Sequence, residues 1–203
     1  MRGRPLITLG WLAAVAGLLI GCTGGPGILS VKAEYPIGKR KLLVVPFKDP
    51  AFSYFESKNG CELADGIAGF MRIYHRRVNV ISGTELRSSI KERDYTKLPL
   101  SDAAREIGAD TVLEGSIIEL ETRDPKAVNL MRGKITVEFA LHDVEKWDPP
   151  LYSKRETYFY PKDTEYEHLL SQDVKPKQVL DELLSLCAQR IAECFVDHEE
   201  LKE

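Results

Sequence analysis

Apolar positions fall into three regimes along the chain. From Leu6 to Ile20 they are nearly continuous, broken by Thr8 and a few glycines. From Thr23 to Gly38 they are sparse and mixed with Gly24, Gly25, Pro26 and Gly27. From Lys41 onward they become periodic. Residues 41–47, "KLLVVPF", form a short run rich in valine and leucine, which predicts a buried strand ended by its proline. After a loop at 48–59, Leu63, Ile67, Phe70 or Met71, and Tyr74 recur at helical spacing and predict a helix over 60–74. Gly66 and Gly69 on that helix would let it lie close to a sheet. "VNVIS", residues 78–82, predicts a second strand. Ser82 and Glu85 form a capping box that opens a second helix carrying Leu86 and Ile90. Ser101 and Asp102 open a third, with Ala104 and Ile107 on it and Gly108 as its stop.

The second half alternates instead. Residues 109–121, "ADTVLEGSIIELE", predict a third strand. In residues 134–143, Ile135, Val137, Phe139 and Leu141 face one way, and Thr136, Glu138 and His142 the other. That is a half-buried antiparallel strand. Asp148-Pro149-Pro150 makes a turn, and residues 151–160 return as a fifth strand. A long helix from about Pro176 to His198 follows, with a stripe of Leu180, Leu183 or Leu184, Cys187, Ile191, and Cys194 or Phe195. The expected fold is α/β: a mixed β-sheet of about five strands flanked by helices, with βαβ crossovers first, a meander second and a long C-terminal helix.

The first thirty residues read as a targeting segment. Arg2 and Arg4 precede the apolar run, and Gly21 and Cys22 end it, which is the layout of a secretory signal. The run is short for a membrane span, which needs about 20 residues. Leu19-Ile20-Gly21-Cys22 resembles the bacterial lipobox. A small residue before the cut fits a narrow protease site, and a thiol takes the diacylglycerol as a thioether. The resemblance implies cleavage between Gly21 and Cys22 and acylation of Cys22. Two or more acyl chains, at about 0.8 kcal/mol per buried CH2, hold a protein on a bilayer. Thr23 stands where an aspartate would signal inner-membrane retention in enteric lipoproteins, which favours the outer membrane. The expected organisation is a signal peptide at 1–21, a flexible tether at 22–38 and a single periplasmic domain at 39–203. A tether of that length spans roughly 20–25 Å.

Composition narrows the function. The chain has 203 residues, 43% hydrophobic and 29% charged, enough for one domain with its own core. A net charge of -3 with scattered positive residues argues against wrapping nucleic acid. Four cysteines are too few for a disulfide-built fold. There is no Gly-x-Ser-x-Gly, P-loop or His-Glu-x-x-His motif, and His75, His142, His168 and His198 show no metal spacing. "EYEH", residues 165–168, reads as a solvated loop. No enzyme activity, cofactor or metal is expected.

Cys61, beside Glu62 and Asp65 at a helix start, reads as a small core residue, with a reactive thiol as the alternative. Cys187 and Cys194 stand about 10.5 Å apart along one helix and cannot bridge each other, though either could reach Cys61. Both read as core. "HRR", residues 75–77, and "KRK", residues 39–41, read as solvated ends, with attraction to anionic lipid or a wall polymer as the alternative. Tyr152, Tyr158 and Tyr160 share one strand face with Lys154 and Glu156 between them. That face is a partner-binding surface if exposed and core if the C-terminal helix covers it.

Residues 103–117, "AAREIGADTVLEGSI", resemble a stretch shared by the TolB amino-terminal domain, the CsgG family and LpoB-type lipoproteins: an alanine-rich helix ending at Gly108-Ala109, then a strand over Asp110 to Ile117. "LLVVPF" matches the first strand of that group, and "VNVISGTELRSSI" its next strand and helix. The matches cover roughly residues 41–145. The resemblance implies an envelope protein that works by contact, in assembly, secretion or cell-wall synthesis, with room for an oligomer. A CsgG-type pore needs two extra membrane hairpins, and the one available pair, 134–143 and 151–160, carries Lys154, Arg155 and Glu156. The rival readings are a ring-forming secretion component, and a small-ligand binder or enzyme using the Cys61 helix start.

Overall fold

The computed structural model describes residues 28–49, 56–85, 99–122, 132–161 and 175–201. Cys22, the cut behind Gly21, the second helix beyond Glu85 and the segment around His168 lie outside them. The elements in chain order are β1 (Ile28–Val31), β2 (Lys41–Val44), α1 (Lys58–Tyr74), β3 (Asn79–Ser82), α2 (Leu100–Glu106), β4 (Thr111–Glu121), β5 (Gly133–Asp143), β6 (Tyr152–Tyr160), α3 (Pro176–Glu193) and β7 (His198–Leu201). Five strands form one mixed sheet in the order β3-β2-β4-β5-β6, and β1 pairs with β7 in a separate antiparallel ribbon. β2 runs parallel to β3 and to β4, while β4, β5 and β6 form an antiparallel meander. This is the α/β architecture that the periodicity predicts.

The helices lie where handedness requires. β3 and β4 flank β2 on opposite sides, so right-handed crossovers put their helices on opposite faces. α1 and α3 cover one face in the larger core, and α2 covers part of the other through Ala104. Ile135, Val137, Phe139 and Leu141 of β5 are buried under α1 and α3 as their alternation predicts. His142, expected on the solvent side, is buried too, because the Trp147 ring stacks on it at 4.5 Å.

Local signals hold in most places. The Ser57 hydroxyl caps α1 by accepting from Gly60 N at 3.0 Å. The Ser82–Glu85 capping box forms, with Ser82 N donating to Glu85 at 2.9 Å and Glu85 N donating to the Ser82 hydroxyl at 3.3 Å. Arg72 of α1 grips both Glu85 carboxylate oxygens, at 2.9 and 2.7 Å. The Ser82 amide, and with it Arg72, holds the Glu85 carboxyl below its ordinary range. α2 starts one residue earlier than expected. Pro99 occupies its cap position, so Ser101 and Asp102 lie in the first turn. Gly66 meets Ala188 of α3 rather than the sheet, and Gly69 meets nothing.

Two expectations fail at the chain ends. The segment read as a tether is, from Ile28 on, part of the folded body. Its β1 pairs with β7, Tyr35 N donates to the Cys194 carbonyl at 2.8 Å, Ile37 N donates to the Phe195 carbonyl at 3.2 Å, and Ile37 is buried. The helix expected to reach His198 stops at Glu193, with Cys194 as its cap. The chain then turns to seat Phe195 edge-on against Phe139 and Tyr152, and continues as β7. Cys194 and Phe195 fall where a continued helix would also bury them, so the apolar stripe cannot mark this end.

One contact joins β2, α1 and β4. Phe47 is fully buried, its N–H donates to the Gly60 carbonyl at 3.1 Å, and Lys48 N donates to the Gly115 carbonyl at 2.9 Å. A Cβ on Gly115 would stand 2.4 Å from the Phe47 ring, and one on Gly60 2.0 Å from the Phe47 carbonyl oxygen. Truncation of Phe47 to Ala is expected to cost about 3–5 kcal/mol, through lost burial and the cavity it leaves. Gly115→Ala is expected to cost about 1–3 kcal/mol or more by overpacking. Chemical denaturation of both single variants and the double variant checks this. The Gly115→Ala penalty should shrink once the Phe47 ring is gone, because the two side chains then no longer compete for one volume.

Candidate functional site

The tyrosine face of β6 turns inward. Along this strand Tyr152, Lys154, Glu156, Tyr158 and Tyr160 are half-buried beneath α3 and its C-terminal turn, while Ser153, Arg155, Thr157 and Phe159 are exposed. The Tyr152 ring lies 5.4 Å from Phe195 and 6.0 Å from Tyr35. Of the two alternatives open in the sequence, coverage by the C-terminal helix is the one found.

The polar groups on that face close on one another. Lys154 Nζ binds Glu34 at 2.7 Å and Glu156 at 2.7 Å, Tyr152 donates to Glu34 at 2.6 Å, and Tyr158 donates to Glu156. Burial works against the Lys154 ammonium, but Glu156 and Glu34 outweigh it and raise its pKa above the ordinary lysine range. Burial, followed by their carboxylate partners, pushes the Tyr152 and Tyr158 phenols up. The Lys154 hydrogen bond, then that of Tyr152, holds the Glu34 carboxyl low. Glu34 lies in the stretch read as a tether, and nothing in the sequence links it to Lys154.

A second polar group clasps the ribbon to the helices. Glu193, His198 and Glu200 bring three ligand-type atoms within 4.8 Å of one another. Arg190 already supplies the cation there, binding Glu193 at 2.9 Å and Glu200 at 3.2 Å. Tyr74 of α1 donates to Glu193 at 3.0 Å, and burial, then Glu193, pushes its phenol up to about 12. The cluster therefore joins α1, α3 and β7 through these ion pairs. Arg190 and Glu193, three apart on a helix, were the visible half of this signal.

Cys187 and Cys194 are buried free thiols, and burial pushes both pKa values up. Cys61 is half-buried in the first turn of α1 and forms no disulfide among the described residues. The nearby hollow between α1 and α3 is lined by Glu62, Gly66 and Phe70, not by Cys61.

The exposed apolar side chains lie elsewhere. Ile28 and Leu29 of β1 are 67% and 53% exposed, and Ile73 of α1 is 72% exposed. Ser30 of β1, Ile73 and His75 line one open hollow of about 500 Å3 together with Glu199. Among the described residues no helix is long and apolar enough to cross a membrane.

No protein-family model matches the chain, and no curated protein does. Several solved structures are similar to it. The PelC dodecamer from Paraburkholderia phytofirmans is 16% identical, with 80% of this chain and 95% of that one covered, at a TM-score of 0.45. Lipoprotein GNA1162 from Neisseria meningitidis is 16% identical, with 75% and 98% covered, at 0.45. The LpoB C-terminal domain from Salmonella enterica is 16% identical, with 59% and 82% covered, at 0.38.

The Glu34 link has a measurable pH signature. Its folded pKa is depressed, so its contribution is present above the ordinary glutamate range and lost as pH falls through the folded value. Glu34→Gln is expected to lower stability at pH 7 by less than about 1 kcal/mol, the range of exposed pairs. The difference from the parent should vanish below the carboxylate range. Thermal melts of both proteins from pH 7 down to pH 3 check it.

Proposed function

We propose that the chain is a bacterial lipoprotein, cut between Gly21 and Cys22 and held by the acylated Cys22 on the periplasmic face of the outer membrane. On this reading it acts by contact with another envelope protein, not by catalysis, in assembly, secretion or cell-wall synthesis of the LpoB and CsgG kind. The observation that carries the reading is Leu19-Ile20-Gly21-Cys22 at the end of a short apolar run behind Arg2 and Arg4. The resemblance of residues 103–117 to the TolB, CsgG and LpoB group supports the same class. The internally paired Lys154 and Arg190 clusters favour contact over chemistry, since their charges already have partners.

With Tyr152, Tyr158 and Tyr160 turned inward, the contact falls to the outer side of the same strand. Among the described residues β6 ends the sheet order, and its Arg155, Thr157 and Phe159 are exposed. A terminal strand with an open edge takes up a partner strand through main-chain hydrogen bonds, and its side chains select which one.

Two measurements test this. Cys22→Ser is expected to abolish acyl labelling and block the cut behind Gly21; unchanged labelling overturns the anchor. A photo-crosslinking side chain at Thr157 in intact cells should give one discrete adduct with an envelope protein, and the same probe at Lys58, at the start of α1, should not. Equal adducts from both positions overturn β6 as the contact strand.

A further inference from the structure

The folded body begins much closer to the lipid attachment point than a long tether would allow. Residues 23–27 are all that separate Cys22 from β1. Even fully extended, a segment of that length reaches no more than about 20 Å. The ribbon start is therefore confined near the headgroup layer, on the reading that Cys22 is acylated.

The same end of the molecule carries the side chains that suit a bilayer surface. Ile28, Leu29 and Ile73 are the three most exposed of the large apolar residues described, at 67%, 53% and 72%. Ser30 and Ile73 line one hollow, and Ile28 shares the ribbon face of Ser30 two residues away, which brings β1 and the last turn of α1 together. Arg76 and Arg77 follow directly after α1 and are exposed. Lys32 binds Asp197 at 2.7 Å, which neutralises that carboxylate. Glu199 lines the hollow and offsets part of the remaining charge, so apolar contact outweighs anionic attraction here. Apolar side chains rimmed by arginine are the composition of interfacial membrane contacts.

We propose that the β1 start and the α1 C-terminus form a membrane-docking face, with Ile28 and Ile73 seated in the headgroup region and Arg76 and Arg77 at its rim. The occupant is the phospholipid surface that holds the Cys22 anchor. The sheet then stands with the start of β2 near the bilayer and the distal end of β4 away from it. Ile118 lies eight residues along β4 from Asp110, which bonds Lys41 N at the start of β2 at 2.7 Å. At about 3.3 Å per residue that places Ile118 roughly 26 Å farther from the membrane.

The test uses the acylated full-length product in vesicles of phosphatidylethanolamine and phosphatidylglycerol with brominated acyl chains, which quench nearby indole. Trp147→Phe removes the native signal, since Trp11 leaves with the signal peptide. On that background Ile73→Trp is expected to lose at least about half its fluorescence in brominated vesicles, and Ile118→Trp to lose none. Ile73 and Ile118 are both partly exposed, so both variants are expected to fold, which unchanged circular dichroism checks. Acylated protein that floats with the vesicles but leaves Ile73→Trp unquenched overturns the docking face while the anchor stands. A native mass of two copies with that indole shielded from lipid overturns it in favour of a self-association face. Protein whose mass shows no acyl chains and which does not float overturns the anchor, and the docking face falls with it.

Discussion

Phe47 lies in a socket that only glycine leaves open. Its ring occupies the volume of a Gly115 side chain, and its backbone lies against Gly60 at the start of α1. The contact stops β2 as a regular strand, turns the chain at Pro46 and still keeps it on β4, since Lys48 N donates to Gly115 and Ile117 N donates back to Lys48. The strand, the helix cap and the neighbouring strand are thereby registered on one aromatic side chain. Residues 42–47, "LLVVPF", supply the ring, and the glycine of residues 112–117, "VLEGSI", supplies the space.

The chain ends depend on a different constraint, the need to pair buried or half-buried charge. Lys154 projects from the sheet toward α3, where Glu34 from the N-terminal segment joins Glu156 in binding it. Glu193, nearly buried, is matched by Arg190, which also holds Glu200 of β7. Half-buried cations and carboxylates without such partners would carry a large desolvation cost. Each cluster therefore recruits a segment from one end of the chain, and the β1–β7 ribbon follows.

The strands and helices of the sheet were legible because each repeats an apolar pattern at its own period. Ile135, Val137, Phe139 and Leu141 could belong to nothing but a half-buried strand, and Ser82 with Glu85 could be read as a box because both partners lie three residues apart. β1 and β7 were not legible. Each is four residues long, their exposed faces break the alternation, and their pairing joins opposite ends of the chain. The tyrosine strand was legible as a strand but not as a face. Tyrosine suits an interface and a helix-covered sheet equally well, and only the position of α3 decides between them. Gly66 misled in a similar way: spacing shows that a helix has a small-residue groove, not which neighbour fills it.

Fixing Tyr35 and Ile37 to the end of α3 changes what an anchor can do. A long coil would let the body tumble beside the bilayer and present any face. On the proposed reading, in which Cys22 is acylated, a body whose first strand is pinned through Glu34, Tyr35 and Ile37 is separated from the anchor by five residues, so the anchor would restrain orientation as well as distance. On the same reading, a partner in the envelope would meet a narrow range of poses of the β6 edge, which would raise the effective concentration of the competent one without any added contact.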